Sequence, residues 1–190
     1  MVLDRVDGVT LREDLLTSSG AGVEALAERF VELQLQVNAT TVPGLPPLVP
    51  RLRTEITASI ADEALHGELL ALLDGLDDGG LGVCHYDLSP DNVLVGPDGW
   101  VVIDWITAAA GPSAADLART LVMWGRVSAE PIVTFLRGVR RIGAARRGLG
   151  DVVLDDWVRV VAAARLGEGF EGEEAAWLRQ VADGGLRLFA

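Results

Sequence analysis

Three oxygen-bearing side chains surround a short apolar hairpin near the middle of the sequence. Asp87 and Asn92 precede its first strand, and Asp104 follows its second strand. Antiparallel strands bring their outer ends together, so Asn92 and Asp104 should be neighbours, with Asp87 on the adjoining loop. Carboxylate and amide oxygens suit Mg²⁺, which takes few protein carboxylates alongside substrate phosphates. We therefore expect Asn92 and Asp104 to hold magnesium, and Asp87 to orient a hydroxyl and accept its proton.

Each of these residues also has a simpler interpretation. An isolated Asp or Asn in a loop most often forms a turn or a cap, and Asp91-Asn92 could do only that. The complete pattern is more specific than its parts. His85-x-Asp87, then four residues, then Asn92, then an apolar hairpin that ends in Ile103-Asp104 has the order and spacing used for phosphoryl transfer.

The elements that position these side chains are predicted from apolar periodicity. Val93–Val95 and Trp100–Ile103 flank Gly96-Pro97-Asp98-Gly99 and predict a hairpin. The proline-rich segment 40–50 predicts an extended loop, and Ser113 with Asp116 is spaced like a capping pair. Three- and four-residue steps between apolar residues predict helices. Their approximate ranges are 23–37, one helix from the proline-rich loop to 76, 117–124, 132–147, 151–167 and 173–182. The predicted fold class is α+β and mostly α-helical, with a small β-hairpin.

Length and composition restrict the kind of protein. The 190 residues fit a single domain, and the net charge of −12 comes from 28 acidic residues against 16 arginines, with no lysine. Such acidity disfavours binding to nucleic acid or to a membrane surface, and it fits either simple solubility or a cationic ligand. A single cysteine, Cys84, excludes a disulfide framework, and we expect it to be a small buried residue. Without an apolar run of membrane-spanning length or a signal peptide, the expected location is the cytoplasm.

Three segments together carry a family resemblance. They are His85-Tyr86-Asp87-Leu88-Ser89-Pro90-Asp91-Asn92, Ile103-Asp104-Trp105 and Gly111-Pro112-Ser113-Ala114-Ala115-Asp116-Leu117-Ala118. This pattern resembles the aminoglycoside phosphotransferase family of kinase-like enzymes. The usual family form is His-Gly-Asp-Leu-His-Pro-Gly-Asn, then Ile-Asp-Trp, then Gly-Asp-Pro-x-x-Asp-Leu-Ala. The resemblance implies transfer of the γ-phosphate of ATP, or GTP in some members, to a hydroxyl of a small-molecule alcohol, with Mg²⁺.

The resemblance also implies a role for each matching residue. Asp87 is implied as the catalytic base, Asn92 and Asp104 as the Mg²⁺ ligands, and His85 and Asp116 as structural support of the catalytic loop. None of the departures from the family form removes a catalytic oxygen, but a bulky Tyr86 could narrow the pocket. These departures are Tyr86 for Gly, Ser89 for His, Asp91 for Gly and Pro112 for Asp.

Only the carboxyl-terminal lobe of the kinase-like fold is represented in the resemblance. Residues 1–11 look like the hinge, where the backbone near Asp4 and Val6 would bind adenine. The other expected segments are helices in 12–80, the catalytic loop and hairpin in 81–105, and a helical substrate-side subdomain in 112–190. The amino-terminal lobe, with its Gly-rich loop and Lys, is not found. We therefore hypothesise a truncated form, with the missing lobe or a second copy of the chain as partner.

Three functions remain open at this point. The first is a small-molecule kinase whose acceptor lies between residues 40–53 and the last two helices, near an acidic cluster that is more simply a solvated face. The alternative is a catalytically inactive, kinase-derived binding module. The third is a Mg²⁺-dependent phosphohydrolase, which lacks an obvious nucleophile. The acidic members of that cluster are Glu168, Glu171, Glu173 and Glu174.

Overall fold

The computed structural model describes residues 7–76 and 78–190, which form a mostly helical body with two small sheets. Within these residues the α-helices are α1 (Leu11–Thr17), α2 (Ala21–Asn38), α3 (Leu48–Ser59), α4 (Glu63–Leu76), α5 (Ser113–Met123), α6 (Glu130–Arg147), α7 (Asp151–Arg165) and α8 (Gly172–Ala182). The strands are β1 (Val9–Thr10), β2 (Gly82–Cys84), β3 (Val93–Gly96), β4 (Gly99–Val102) and β5 (Ala109–Gly111).

Helix α7 lies at the centre of the helical body. It packs against α3, α4, α5 and α8, so it is covered on several sides. Its predicted apolar face is buried, and Trp157 and Val161 are almost inaccessible to solvent. Helix α2 packs along α6, where the rings of Phe30 and Phe135 meet edge to face with centroids 5.3 Å apart. These contacts make one continuous core beneath the loop of residues 85–92.

The predicted hairpin is confirmed. Strands β3 and β4 pair antiparallel with Val93 opposite Val102 and Gly96 opposite Gly99, and β1 adds to the free edge of β3. A second antiparallel sheet, β2 with β5, was not expected. Strand β5 consists of Ala109, Ala110 and Gly111, small residues without the apolar alternation that marks a strand. Its pairing with β2 places the residues before the loop 85–92 beside the start of α5.

The region after the proline-rich loop differs from the expectation in two ways. Pro50 lies in the first turn of α3, where a missing backbone N–H costs no helical hydrogen bond, so the extended loop ends before it. The single helix expected up to Leu76 is two helices, α3 and α4. The break lies at residues 60–62, where the Asp62 carboxylate accepts the Leu65 backbone N–H at 2.8 Å and starts α4.

Two predicted helix signals are also wrong. Ser113 lies inside α5 and makes no capping hydrogen bond, while Asp116 is fully buried and serves another purpose described below. Helix α7 does not close at Gly167. A 3-10 turn, Leu166–Glu168, extends it, and the chain turns at Gly169, which has a left-handed φ of 85° that glycine tolerates.

The structure describes the amino-terminal segment only from residue 7 onward. The expected adenine contacts at Asp4 and Val6 lie outside the described residues. In the described part of this segment, Val9 and Thr10 form the short strand β1. No helix within residues 7–76 and 78–190 combines the length and the apolar character that a bilayer crossing needs.

Candidate functional site

Asp87 and Asn92 lie together on the loop between β2 and β3. The Asn92 amide nitrogen Nδ2 donates to the Asp87 carboxylate oxygen Oδ2 at 3.0 Å and to the Asp87 backbone oxygen at 2.8 Å. A 3-10 turn at Pro90–Asn92 folds the loop back so that this contact can form. The amide nitrogen thereby restrains the Asp87 side chain, while the amide oxygen, Oδ1, has no hydrogen-bond partner among the described residues.

Asp104 enters the site from the other strand of the hairpin. The Ile103 backbone N–H donates to the Asn92 carbonyl at 3.0 Å, which continues the β3–β4 pairing and places Asp104 beside Asn92. Asp104 adopts a left-handed conformation with φ 61°, rare for a residue with a side chain and frequent at functional sites. Its exposed carboxylate has no hydrogen-bond or ion-pair partner among the described residues. The three predicted residues therefore converge.

His85 connects the loop to the hairpin. Its Nδ1 accepts the Asp87 backbone N–H at 3.2 Å, and its Nε2 donates to the Ile103 carbonyl at 3.0 Å. Both ring nitrogens are occupied by backbone groups, and the ring is buried against Trp105 at a centroid distance of 4.6 Å. The His85 carbonyl in turn accepts from the Thr107 hydroxyl at 2.9 Å. This arrangement leaves His85 no free nitrogen for proton transfer.

Asp116 joins the loop of residues 85–92 to helices α2 and α6. Its Oδ1 accepts the Tyr86 backbone N–H at 2.8 Å, and its Oδ2 accepts from the Asn38 amide of α2 at 2.9 Å. Asn38 Oδ1 accepts from Arg147 of α6 at 2.8 Å. Sequence reasoning identified Asp116 but missed Asn38 and Arg147, because their only signal is an end-of-helix position far away in the chain.

Two further residues of α5 also donate hydrogen bonds to the backbone of the loop 85–92. Arg119 Nε donates to the Tyr86 carbonyl at 3.2 Å, and the Thr120 hydroxyl donates to the Leu88 carbonyl at 2.8 Å. With Asp116, these residues occupy successive positions on one face of the helix. They were not predicted as site residues, although their spacing from Asp116 was the available signal.

Burial dominates the electrostatics of Asp87. The carboxyl is half-buried, and loss of hydration raises its pKa above the usual range. The charge of Arg119 and the hydrogen bond from Asn92 oppose this shift, whereas the negative charge of Asp104 adds to it. A raised pKa in a base is useful when the proton must be taken from an alcohol, because the carboxylate becomes a stronger acceptor.

The donor chemistry at Asn92 and Asp104 fits a magnesium ion. The Asp104 carboxylate and the Asn92 amide oxygen, neither of which has a hydrogen-bond partner within residues 7–76 and 78–190, are hard ligands of the kind that Mg²⁺ uses together with phosphates and water. Among the described residues no group of three or more His, Cys, Asp or Glu side chains is arranged to hold a metal.

Three of the four acidic residues expected near the acceptor form ion pairs. Glu168 accepts from Arg119 at 2.5 Å and lies 3.5 Å from Arg165, while Glu173 and Glu174 pair with Arg126. A cavity of about 690 Å³ lies elsewhere, along α2 and α6, and its lining contains none of the site residues.

Comparison with known proteins identifies the family of this chain. The sequence profile of the phosphotransferase enzyme family (APH) matches residues 1–149, and the chain belongs to this family. No curated protein sequence matches the chain.

Solved structures with a similar fold are small-molecule kinases. The choline kinase LicA from Streptococcus pneumoniae is 18% identical, with a TM-score of 0.52, and the match covers 86% of this chain and 64% of LicA. The ethanolamine kinase of Plasmodium vivax is 13% identical, with a TM-score of 0.54 and coverage of 97% and 63%. The amicoumacin kinase hAmiN, solved with AMP-PNP, Ca²⁺ and Ami, is 14% identical, with a TM-score of 0.52 and coverage of 93% and 62%. The chain spans less than two thirds of each relative.

Proposed function

We propose that this chain carries the catalytic loop of an ATP-dependent kinase that phosphorylates a hydroxyl of a small molecule. Asp87 is the base, Asn92 and Asp104 are the ligands of Mg²⁺, and His85 and Asp116 hold the loop. The observation that carries the proposal is the meeting of Asp87, Asn92 and Asp104, fixed by the Asn92–Asp87 contact at 3.0 Å and the Ile103–Asn92 backbone hydrogen bond.

The reaction divides the work among these residues. The Asp87 carboxylate orients the acceptor O–H and takes its proton as the oxygen bonds to the γ-phosphorus and ADP leaves. The Asn92 amide keeps Asp87 in place, since its Nδ2 is already committed to that carboxylate. Mg²⁺, when held by Asn92 and Asp104, supplies charge neutralisation for the phosphate oxygens. Catalysis then rests mainly on positioning, because the protein forms no covalent intermediate.

The proposal extends to the architecture of the enzyme. We assign the described residues to the carboxyl-terminal lobe. Residues 1–11, which include Asp4 and Val6, would form the hinge that contacts adenine. A Gly-rich loop and a Lys that grip the phosphates would belong to an amino-terminal lobe, since these 190 residues contain no lysine. An in-frame Gly-rich segment and strand Lys in the upstream DNA would support this lobe assignment, and an immediately preceding stop codon would contradict it.

Nucleotide binding by the 190-residue chain tests the metal site. Calorimetry with ATP should show tighter binding with Mg²⁺ than with EDTA, and Asp104→Ala should abolish that difference because it removes the only carboxylate ligand. Asp98→Ala, an exposed Asp of the hairpin turn, is the matched control and should behave as wild type. Metal-dependent binding that survives in Asp104→Ala would contradict the assignment.

Phosphoryl transfer tests the base. Asp87→Ala should lower transfer to an alcohol about 10²- to 10⁴-fold while nucleotide affinity stays unchanged, because Asp87 acts on the acceptor. Transfer is followed by ³¹P NMR over a panel of small-molecule alcohols. A fully active Asp87→Ala variant would remove Asp87 from the mechanism. Metal-dependent nucleotide binding without any transfer would favour the inactive binding module instead.

A further inference from the structure

Tyr86, the residue directly before Asp87, has a backbone conformation that side chains disfavour. Its φ is 61°, in the left-handed region where glycine is the usual residue. The sequence pattern of the family has glycine here, so this chain needs contacts that hold a tyrosine in a glycine conformation. The ring is fully buried, which shows that it packs inside the fold.

One side chain contacts both the backbone and the ring of Tyr86. Arg119 Nε donates to the Tyr86 carbonyl at 3.2 Å, and its guanidinium carbon lies 4.9 Å from the centre of the Tyr86 ring. Arg51 approaches the same ring at 5.1 Å. A guanidinium over an aromatic ring is attracted to the ring face, and the attraction is stronger when the cation is buried, as Arg119 is. Tyr86 is thus held by contacts with α3 and α5.

The peptide group between Tyr86 and Asp87 is held at both ends. Arg119 binds its carbonyl oxygen, and His85 Nδ1 accepts its N–H, which belongs to Asp87. Arg119 is itself fixed, since Nη1 donates to Glu168 Oε1 at 2.5 Å and the side chain is almost fully buried. Movement of Arg119 would therefore rotate this peptide and shift the Asp87 side chain.

We propose that Arg119 is a positioning residue for Asp87, which it holds through the carbonyl and the ring of Tyr86 where the family uses glycine. This inference rests on the proposed role of Asp87 as base. It assigns to Arg119 no contact with the nucleotide or the acceptor. Its effect should appear in the mobility of the peptide before Asp87 and in turnover, while the binding of ATP should not change.

Amide hydrogen exchange, measured by NMR, tests the proposal without any turnover. Arg119→Met should raise exchange of the Asp87 amide about tenfold relative to the Val161 amide in the core helix α7, which reports global unfolding. Arg119→Lys keeps the charge and a donor but loses the flat face, so it should give a smaller increase. Arg126→Met also removes an arginine paired with glutamates and should leave the Asp87 amide unchanged.

A second comparison tests the link to Tyr86. In a Tyr86→Gly background the ring is gone and the left-handed conformation is unstrained, so Arg119→Met should have a smaller effect on the Asp87 amide. Equal exchange ratios in Arg119→Met and wild type would overturn the proposal. If Arg119→Met does not fold, Arg119→Lys decides by the same ratio.

Turnover distinguishes this inference from the proposed function. With an alcohol that is phosphorylated, Arg119→Lys should lower kcat about tenfold and leave KM for ATP unchanged, because only the base is displaced. An unchanged kcat with a mobile Asp87 amide would overturn the positioning role. Absence of turnover in wild type as well would count against the proposed function, and the exchange ratios would still decide whether Arg119 holds the peptide.

Discussion

Asp87 combines partial burial with a neighbouring negative charge, and both raise its pKa. Such a group is costly to the folded state when it is ionised, because the unfolded chain hydrates the carboxylate better. The cost is present at pH values above the raised pKa. It disappears as the pH falls through the raised pKa towards the unfolded value, since the carboxyl is then protonated in both states.

Asp87→Asn should therefore stabilise the protein at neutral pH. The amide carries no charge to desolvate, and its oxygen can still accept from Asn92. We expect a higher Tm than wild type at pH 7 and a difference that shrinks as the pH is lowered through the acid range. Asp98→Asn provides the control. A gain that stays constant down to acid pH would show that the charge of Asp87 is not its cause.

The residue types in the sequence indicated the oxygen donors but not the side chains that position them. The types and spacing of Asp87, Asn92 and Asp104 are local features that can be read in sequence. Cys84 was also correctly expected to be buried, and burial raises the pKa of its thiol. The only sequence signal for Arg119 is its spacing from Asp116 on one helix face, because its contacts with the loop around Tyr86 form only when the chain folds.

At the scale of elements, the approach of β2 to the end of α2 sets the position of the catalytic loop. The Val83 N–H donates to the Thr40 carbonyl at 2.9 Å, and the Asn38 amide donates to the Val83 carbonyl at 2.9 Å. Gly82 makes this approach possible. A Cβ atom at Gly82 would lie 2.1 Å from the Asn38 carbonyl oxygen, far inside van der Waals contact.

Gly82→Ala should destabilise the protein by about 3 kcal/mol, because backbone must move to admit the methyl group. The measurement is urea unfolding followed by circular dichroism. Gly67→Ala is the matched control, since nothing lies within 4 Å of its added Cβ in α4. That control should be stabilising by about 0.5–1 kcal/mol, as expected for alanine in a helix. Equal stability of both variants would contradict the close approach.

Strong local periodicity explains which elements were predictable. The hairpin and helices α2, α6 and α8 follow from apolar spacing and lie close to their expected bounds. The break between α3 and α4 was missed because apolar residues continue through it. Strand β5 was missed because small residues carry no strand preference and pair only when β2 lies beside them.

At the scale of the whole molecule, a buried polar network joins the catalytic loop to three helices. Asp116 accepts from Tyr86 and Asn38, and Arg147 of α6 donates to Asn38 and to Gln34 of α2. Arg140 and Arg147 belong to an arginine-rich stretch of α6, and both form hydrogen bonds inside the fold. Arg140 is nearly inaccessible and donates to Asp155 at 2.7 Å.

Asp116→Asn should destabilise the molecule by about 3 kcal/mol. Its Nδ2 would face the Asn38 amide, so two donors would meet, and the charge that faces the loop N–H would be lost. Thermal unfolding measures the effect. Asp156→Asn makes the same chemical change at a loosely paired position of α7, 4.0 Å from Arg159, and should change stability little. Similar losses in both variants would argue against a linking role for Asp116.

The sequence by itself determined the oxygen donors, the hairpin that carries them, the strongly periodic helices and the family. These features are encoded over short stretches, where residue type and spacing are sufficient. Only the tertiary structure decided which residues hold the site: Asn38, Arg119, Thr120 and Arg147. Their contacts join segments distant in the chain, and the burial that makes those contacts strong exists only after the helices have packed.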